Sequence, residues 1–191
     1  MKSSIAPALL LLLALTGGLP AHAQETSQTR DDAGRPARQQ ALELAKIRDL
    51  IDRKRPRDAV LAAEAAMKRF PENTQLRFLL GVAQTDAGQA EQAIATFEAL
   101  NRDHPELAEP YNNLAVLHAS RGDLINARAA LEQAVRVVPD YGLAYENLGD
   151  VYLRLTVEAY ERASNAAKPS RPARKKLTLT RQLLEQLNPA P

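Results

Sequence analysis

The stretch "YNNLAVLHASRGDLINARAALEQAVRVVP", residues 111–139, decides how the rest of the chain is read. Apolar residues recur at helical spacing on both sides of Arg121-Gly122-Asp123. Leu114, Ala115 and His118 share one face before that interruption, and Ala127, Leu131 and Ala134 share one face after it. This is the pattern of two amphipathic helices joined by a tight turn. Gly122 can take the positive φ that ends a first helix, Asp123 can cap the next N-terminus, and Pro139 stops the second helix.

The same punctuation repeats outward from this stretch. Pro71, Pro105 and Pro139 are 34 residues apart, as are Ala59, Ala93 and Ala127, and Ala66, Leu100 and Ala134. Leu80 and Leu114, Gly81 and Ala115, and Gly88 and Gly122 share that spacing. Several classes of position, with different physical jobs, obey one period. Such a period marks a repeat architecture, in which no unit buries its apolar face alone and neighbours must stack. Small residues (Gly81, Ala115, Gly149, Ala59, Ala93, Ala127) are expected where helices cross closely, with Leu80, Leu114, Leu148, Phe97 and Leu131 filling the gaps between helices. No β-branched run alternates with period two, so no sheet is expected.

The 34-residue helix–turn–helix unit resembles the tetratricopeptide repeat (TPR) family. The best match is Tyr111, Leu114, Ala115, His118, Gly122-Asp123, Ala127, Leu131, Ala134 and Pro139. The unit at 74–107 supplies Leu80, Gly81, Gly88, Ala93, Phe97, Leu100 and Pro105, but has Arg77 at its first large position. The unit at 40–73 supplies Ile47, Ala59, Ala63, Ala66 and Pro71, with a turn, "KRP", that lacks Gly. The resemblance implies an all-α TPR solenoid of three regular repeats, a degenerate fourth and a C-terminal capping helix. In the fourth unit, Tyr145, Leu148, Gly149 and Tyr152 make a first helix, but no Gly-Asp turn follows. Two readings stay open there: a turn leading to a helix through Ala159, Ala163 and Ala166, or one continuous long helix through "LRLTVEAY". The solenoid is read as residues 39–167, "KPSRP" (168–172) as a linker, and 173–187 as the amphipathic cap carrying Leu177, Leu179, Leu183, Leu184 and Leu187.

The N-terminus has another character. One Lys precedes an apolar core from Ile5 to Leu15, then come Gly17-Gly18, Pro20 and "AHA", residues 21–23. This is the pattern of a secretory signal peptide, residues 1–23, with cleavage expected after Ala23. The apolar run falls short of the roughly 20 residues a membrane-spanning helix needs. The polar, aperiodic residues 24–38 are read as a flexible leader. Of the 191 residues, 168 follow the expected cleavage site and carry a net charge of +1, which argues against a dedicated nucleic-acid binder. There is no Cys, hence no disulfide, thiolate metal site, Cys nucleophile or lipidated cysteine.

Little in the chain suggests chemistry. His22 lies in the expected signal peptide, His104 precedes a repeat-closing Pro, and His118 occupies a packing position. Two distant His cannot build a zinc site. Ser120 and His118 are two residues apart and lie on different helix faces. No Gly-rich loop has phosphate-cradling spacing. The expectation is therefore a protein that is not an enzyme and carries no cofactor or metal.

Binding is the expected function. The resemblance implies a concave groove lined by the first helices, with partner contacts at Gln75, Phe78, Leu79, Val82, Asp86, Glu109, Asn112, Asn113, Val116, Glu146, Asn147 and Asp150. Phe78 is an anchor candidate, because Arg77 stands at the expected core position; a shifted register that buries Phe78 is the competing reading. For Asn112, Asn113 and Asn147 the alternatives are peptide contact and inter-helix hydrogen bonding. The carboxylate clamp of some TPR proteins is absent: the corresponding positions read Leu44, Phe78, Asn112, Glu146 and Arg48, Val82, Val116, Asp150. The expected protein is an exported scaffold or adaptor, in a bacterial periplasm, that binds a partner protein or peptide in this groove. The alternative is a membrane-surface or cell-wall-polymer adaptor using the basic turn at 48–58 and the helix at 173–187, and a remote alternative is an envelope enzyme. Self-association is compatible with the architecture.

Overall fold

The computed structural model describes residues 21–168 and 170–187. The first 20 residues, most of the expected signal peptide, lie outside it. Eight helices follow one another: α1 (Ala21–Asp52), α2 (Pro56–Arg69), α3 (Thr74–Asp86), α4 (Ala90–Asp103), α5 (Ala108–Ser120), α6 (Leu124–Val137), α7 (Gly142–Asn165) and α8 (Arg171–Leu187). There is no strand among the described residues. The chain divides into two compact units, Met1–Gln39 and Gln40–Pro191, and the repeats lie in the second.

Residues 24–38, read from the sequence as a flexible leader, are helical and lie within α1. Helical conformation here does not rest on an apolar stripe, which the segment lacks. Gln24, Glu25, Gln28, Arg30, Ala33, Ala37 and Arg38 favour a helix, whereas Gly34 and Pro36 oppose it.

The 34-residue period is carried into the helix boundaries. α3, α5 and α7 begin at Thr74, Ala108 and Gly142, and α2, α4 and α6 begin at Pro56, Ala90 and Leu124. The second helices end at Arg69, Asp103 and Val137, each two residues before its Pro. Gly88 and Gly122 adopt φ of 73° and 78°, and the first repeat takes the same left-handed turn at Lys54, φ 56°. The backbone therefore keeps the turn where the sequence lacks the Gly. Asn73 caps α3 by accepting from the Leu76 amide at 2.9 Å, and Asp123 caps α6 by accepting from Asn126 at 3.2 Å.

Packing follows the small and large positions. Ala59, Ala93 and Ala127 are fully buried, as are Ala66, Leu100 and Ala134. At the centre of each repeat a residue of the first helix meets one of the second, and their sizes trade off: Ile47 with Ala63, Gly81 with Phe97, Ala115 with Leu131. An ideal Cβ placed on Gly81 would lie 2.6 Å from the Phe97 ring. Arg77, out of character for its position, lies along α4 and pairs with Asp103 at 2.5 Å.

The fourth unit is one continuous helix of 24 residues, which decides between the two readings of that segment. Nothing breaks "LRLTVEAY", so no second helix folds back at the level of Gly149. That corrects the expectation for Gly149: apart from its own stretch of helix, no atom of the described residues comes within 4 Å of where its Cβ would be. Tyr145 and Tyr152 are correspondingly exposed, at 51% and 45%. α8 packs instead on the C-terminal half of α7, with Ala173 buried, Lys176 over the Tyr160 ring at 5.7 Å, and Arg181 paired to Glu161 at 2.6 Å.

Candidate functional site

Two hollows open on the face made by the first helices. One, about 370 Å³, is lined by Arg48 of α1, Thr74, Gln75, Phe78 and Leu79 of α3, Leu107, and Glu109 and Pro110 of α5. Its floor is apolar. The half-buried Phe78 leans on the fully buried Phe97, ring centroids 5.8 Å apart. The other, about 240 Å³, lies between α5 and α7 and is lined by Val116, Ser120, Asn147, Asp150, Val151 and Arg154 among others. Arg154 donates to the Ala119 carbonyl at 3.0 Å, which fixes its guanidinium at the rim. A more polar hollow, about 450 Å³, joins the first of these at Thr74 and Gln75 and extends along the turn from Phe70 to Asn73.

The expected groove residues divide three ways. Gln75, Asp86, Glu109, Val116, Glu146 and Asp150 are exposed, and Phe78, Val82, Asn113 and Asn147 are half-buried. Leu79 and Asn112 are largely buried, with only 8% and 5% of their surfaces exposed; Leu79 still lines the first hollow, and Asn112 is the correction. Leu79 is drawn into the core with Leu44 and Ile47 because α3 packs on α1 there. Asn112 is covered by α7 and accepts a hydrogen bond from the Asn147 amide at 2.8 Å. This pair joins two neighbouring repeats, so inter-helix bonding is the role the structure gives Asn112. Asn113, half-buried, donates to the Glu109 carbonyl of its own helix at 2.8 Å.

The electrostatics of this face are uneven. Among the described residues, no ion pair holds Asp86, Glu109, Glu146 or Asp150, whereas Asp103, Glu43 and Glu161 are each paired to an Arg on another helix. Burial, and secondarily the Glu109 carboxylate, raises the Tyr141 pKa above its ordinary value. The histidines lie elsewhere: His118 Nδ1 is 3.5 Å from Asp123 and His104 Nδ1 is 3.3 Å from Glu106. Among the described residues no three His, Asp or Glu are grouped to hold a metal ion, and no helix is long and apolar enough to cross a membrane.

Family models described as tetratricopeptide repeat match residues 50–115 and 112–169. The chain belongs to the TPR family. Its solenoid is similar to the Sgt2 TPR domain from Aspergillus fumigatus, with TM-score 0.60 and 17% identity over 69% of this chain and 85% of that one. It is also similar to a thermophilic TPR protein of Thermus thermophilus, with TM-score 0.58 and 20% identity over 78% and 84% of the two chains. A third similar structure is YrrB, described as a TPR protein with an unusual peptide-binding site, with TM-score 0.53 and 22% identity over 65% and 67%. At these identities the likeness is one of fold. Among curated proteins none matches the sequence significantly. TPR proteins are generally non-catalytic scaffolds, and the fold is consistent with binding a protein or peptide.

Two rim residues were missed by the residue-by-residue reading. Arg154 occupies the repeat position of Asp86 and Ser120, so the period alone would have found it. Arg48 occupies the repeat position of Val82, Val116 and Asp150, so the same period would have found it, beside Phe78 and Glu109.

Proposed function

We propose that this protein is an exported TPR scaffold that binds an extended segment of a partner protein along the face of its first helices. The observation that carries the reading is the pair of hollows on that face, one with an apolar floor at Phe78 and one with Val116, Asn147 and Asp150 at its rim. The four carboxylates without ion-pair partners outnumber Arg48 and Arg154 there. Such a groove favours a segment with an apolar anchor and cationic flanks, since complementary charge steers association and suppresses wrong partners. Export is supported by the signal-peptide pattern of residues 1–23.

The test is capture of partners from an envelope extract of the source cell by the mature protein, followed by titration of the captured partner. Glu109→Lys with Glu146→Lys and Asp150→Lys is expected to weaken that partner at least tenfold with helical content unchanged. Undiminished affinity in the folded triple variant overturns the groove assignment. Export is checked by the N-terminal residue of the protein recovered from the envelope, expected to be Gln24.

A further inference from the structure

The fourth unit leaves a repeat interface half built. In the second and third repeats the first helix is covered by its own second helix, Phe97 over Gly81 and Leu131 with Ala115. The corresponding face of α7 carries Tyr145, Gly149 and Tyr152, and nothing among the described residues covers it: the tyrosines are exposed and the space at Gly149 is open. By helical geometry this face is turned away from Asn147 and continues along α7 through Leu153, Thr156 and Tyr160. There it meets a groove of about 330 Å³ whose other wall is α8, lined by Lys176, Leu179 and Leu183.

α8 carries a second apolar surface besides the one it buries. Ala173, Leu177, Thr180 and Leu184 turn toward α7, whereas Leu179, Leu183 and Leu187 form an adjoining stripe at four-residue spacing, exposed at 57%, 45% and 56%, with Leu179 and Leu183 at the edge of the groove beside α7. Of the eleven large apolar side chains exposed among the described residues, six lie on α7 and α8. The charges on the two helices are opposite. α7 has four carboxylates against Arg154 and Arg162, and α8 has five cationic side chains against Glu185. Glu146 borders the open face of α7, and Glu132 borders it from α6 through the Tyr152 hydroxyl at 3.2 Å. Lys175 and Lys176 flank the leucine stripe of α8.

We propose that a second copy of this chain covers the face: the leucine stripe of α8 from one copy packs over Tyr145, Gly149 and Tyr152 of the other, and reciprocally. The partner helix supplies what Phe97 and Leu131 supply within a regular repeat, a large apolar residue over a small one. Basic α8 against acidic α7 sets the pairing, and two-fold symmetry makes each contact twice, as in the commonest closed oligomers.

The experiment is sedimentation equilibrium of the mature chain over a wide concentration range. The wild type is expected to be a dimer. Leu179→Asp with Leu183→Asp, and separately Gly149→Trp, are each expected to weaken dimerisation at least tenfold with helical content unchanged, since all three positions are open in the single chain. Mixing the two variants restores one intact α8-on-α7 contact, so the mixture should pair more tightly than either variant alone. A wild type that stays monomeric overturns the proposal. So does a dimer that neither variant weakens, or a mixture that pairs no better than its components. Flotation with anionic vesicles of phosphatidylglycerol is the parallel arm. A monomer that floats at low salt through the α8 leucines assigns the stripe to a lipid surface and overturns the proposal.

Discussion

Replacing Gly81 by Ala and Gly149 by Ala changes one repeat position in two repeats, and the structure gives the two substitutions opposite signs. A Cβ on Gly81 meets two carbons of the Phe97 ring at 2.6 Å. Carbon atoms pack best at about 3.5–4.0 Å, so the ring must retreat by about 1 Å. Phe97 is fully buried and packed at a tilt against Phe78, which leaves it little room. Overpacking of this kind costs about 1–3 kcal/mol, and exchanging Gly for Ala within a helix returns about 0.8–1.0 kcal/mol. Gly81→Ala should therefore destabilise by about 1 kcal/mol, and by no more than about 2. Gly149→Ala meets nothing, so the helix term stands alone and the variant should be more stable by about 0.8–1.0 kcal/mol. Urea and thermal unfolding followed by far-ultraviolet circular dichroism read both, with a thermal shift of roughly 3–5 °C per kcal/mol for a domain of this size. Gly81→Ala combined with Phe97→Leu recreates the Ala–Leu pair of the third repeat. It should recover stability relative to the sum of the single changes by at least about 1 kcal/mol, as contacting pairs do. A Gly81→Ala protein as stable as wild type, with an additive double variant, would refute the size-compensation argument.

Four further outcomes are expected. Asn101 is buried with both amide atoms lacking a partner, and Val135 occupies its position in the next repeat; Asn101→Val should raise stability by about 1–2 kcal/mol in urea unfolding. Lys54→Gly should stabilise by about 0.5–1 kcal/mol, because a left-handed φ costs an L-residue more than Gly loses through chain entropy. Asn147→Ala removes the hydrogen bond to the buried Asn112 and should cost about 1–2 kcal/mol, a loss that Asn112→Leu in the same chain reduces. Asp123 is held below its ordinary pKa of 3.8 by hydrogen bonds from the Asn126 side chain and backbone and by the His118 and Arg121 charges. The native state then binds fewer protons than the unfolded state, so this contribution is present above pH 3.8 and is lost as pH falls below it. The stability difference between wild type and Asp123→Asn should therefore shrink on acidification.

Punctuation and period made the solenoid legible before any coordinates. Gly122, Asp123 and Pro139 act on the backbone of their own neighbourhood, and such local effects are readable from residue type. The candidate groove was legible only as a list of positions. Gln75, Phe78, Val116 and Asp150 do line the open face, because their side of the helix follows from the period. Asn112 does not, and Leu79 reaches the hollow only as a largely buried floor residue, since their burial depends on how closely α7 and α1 approach.

The sequence by itself determined the helices of the three regular repeats, their 34-residue register and their sites of tight crossing, since all of these follow from residue size, turn chemistry and helical spacing along the chain. Only the tertiary structure decided that Lys54 takes the turn of a Gly. Only it showed that Asn112 serves Asn147, that Phe78 rests on Phe97, and that the fourth unit runs on as one helix with Gly149 uncovered. Each of these depends on which distant residue arrives at a given point, and that is set by the packing of whole helices rather than by the residues beside it.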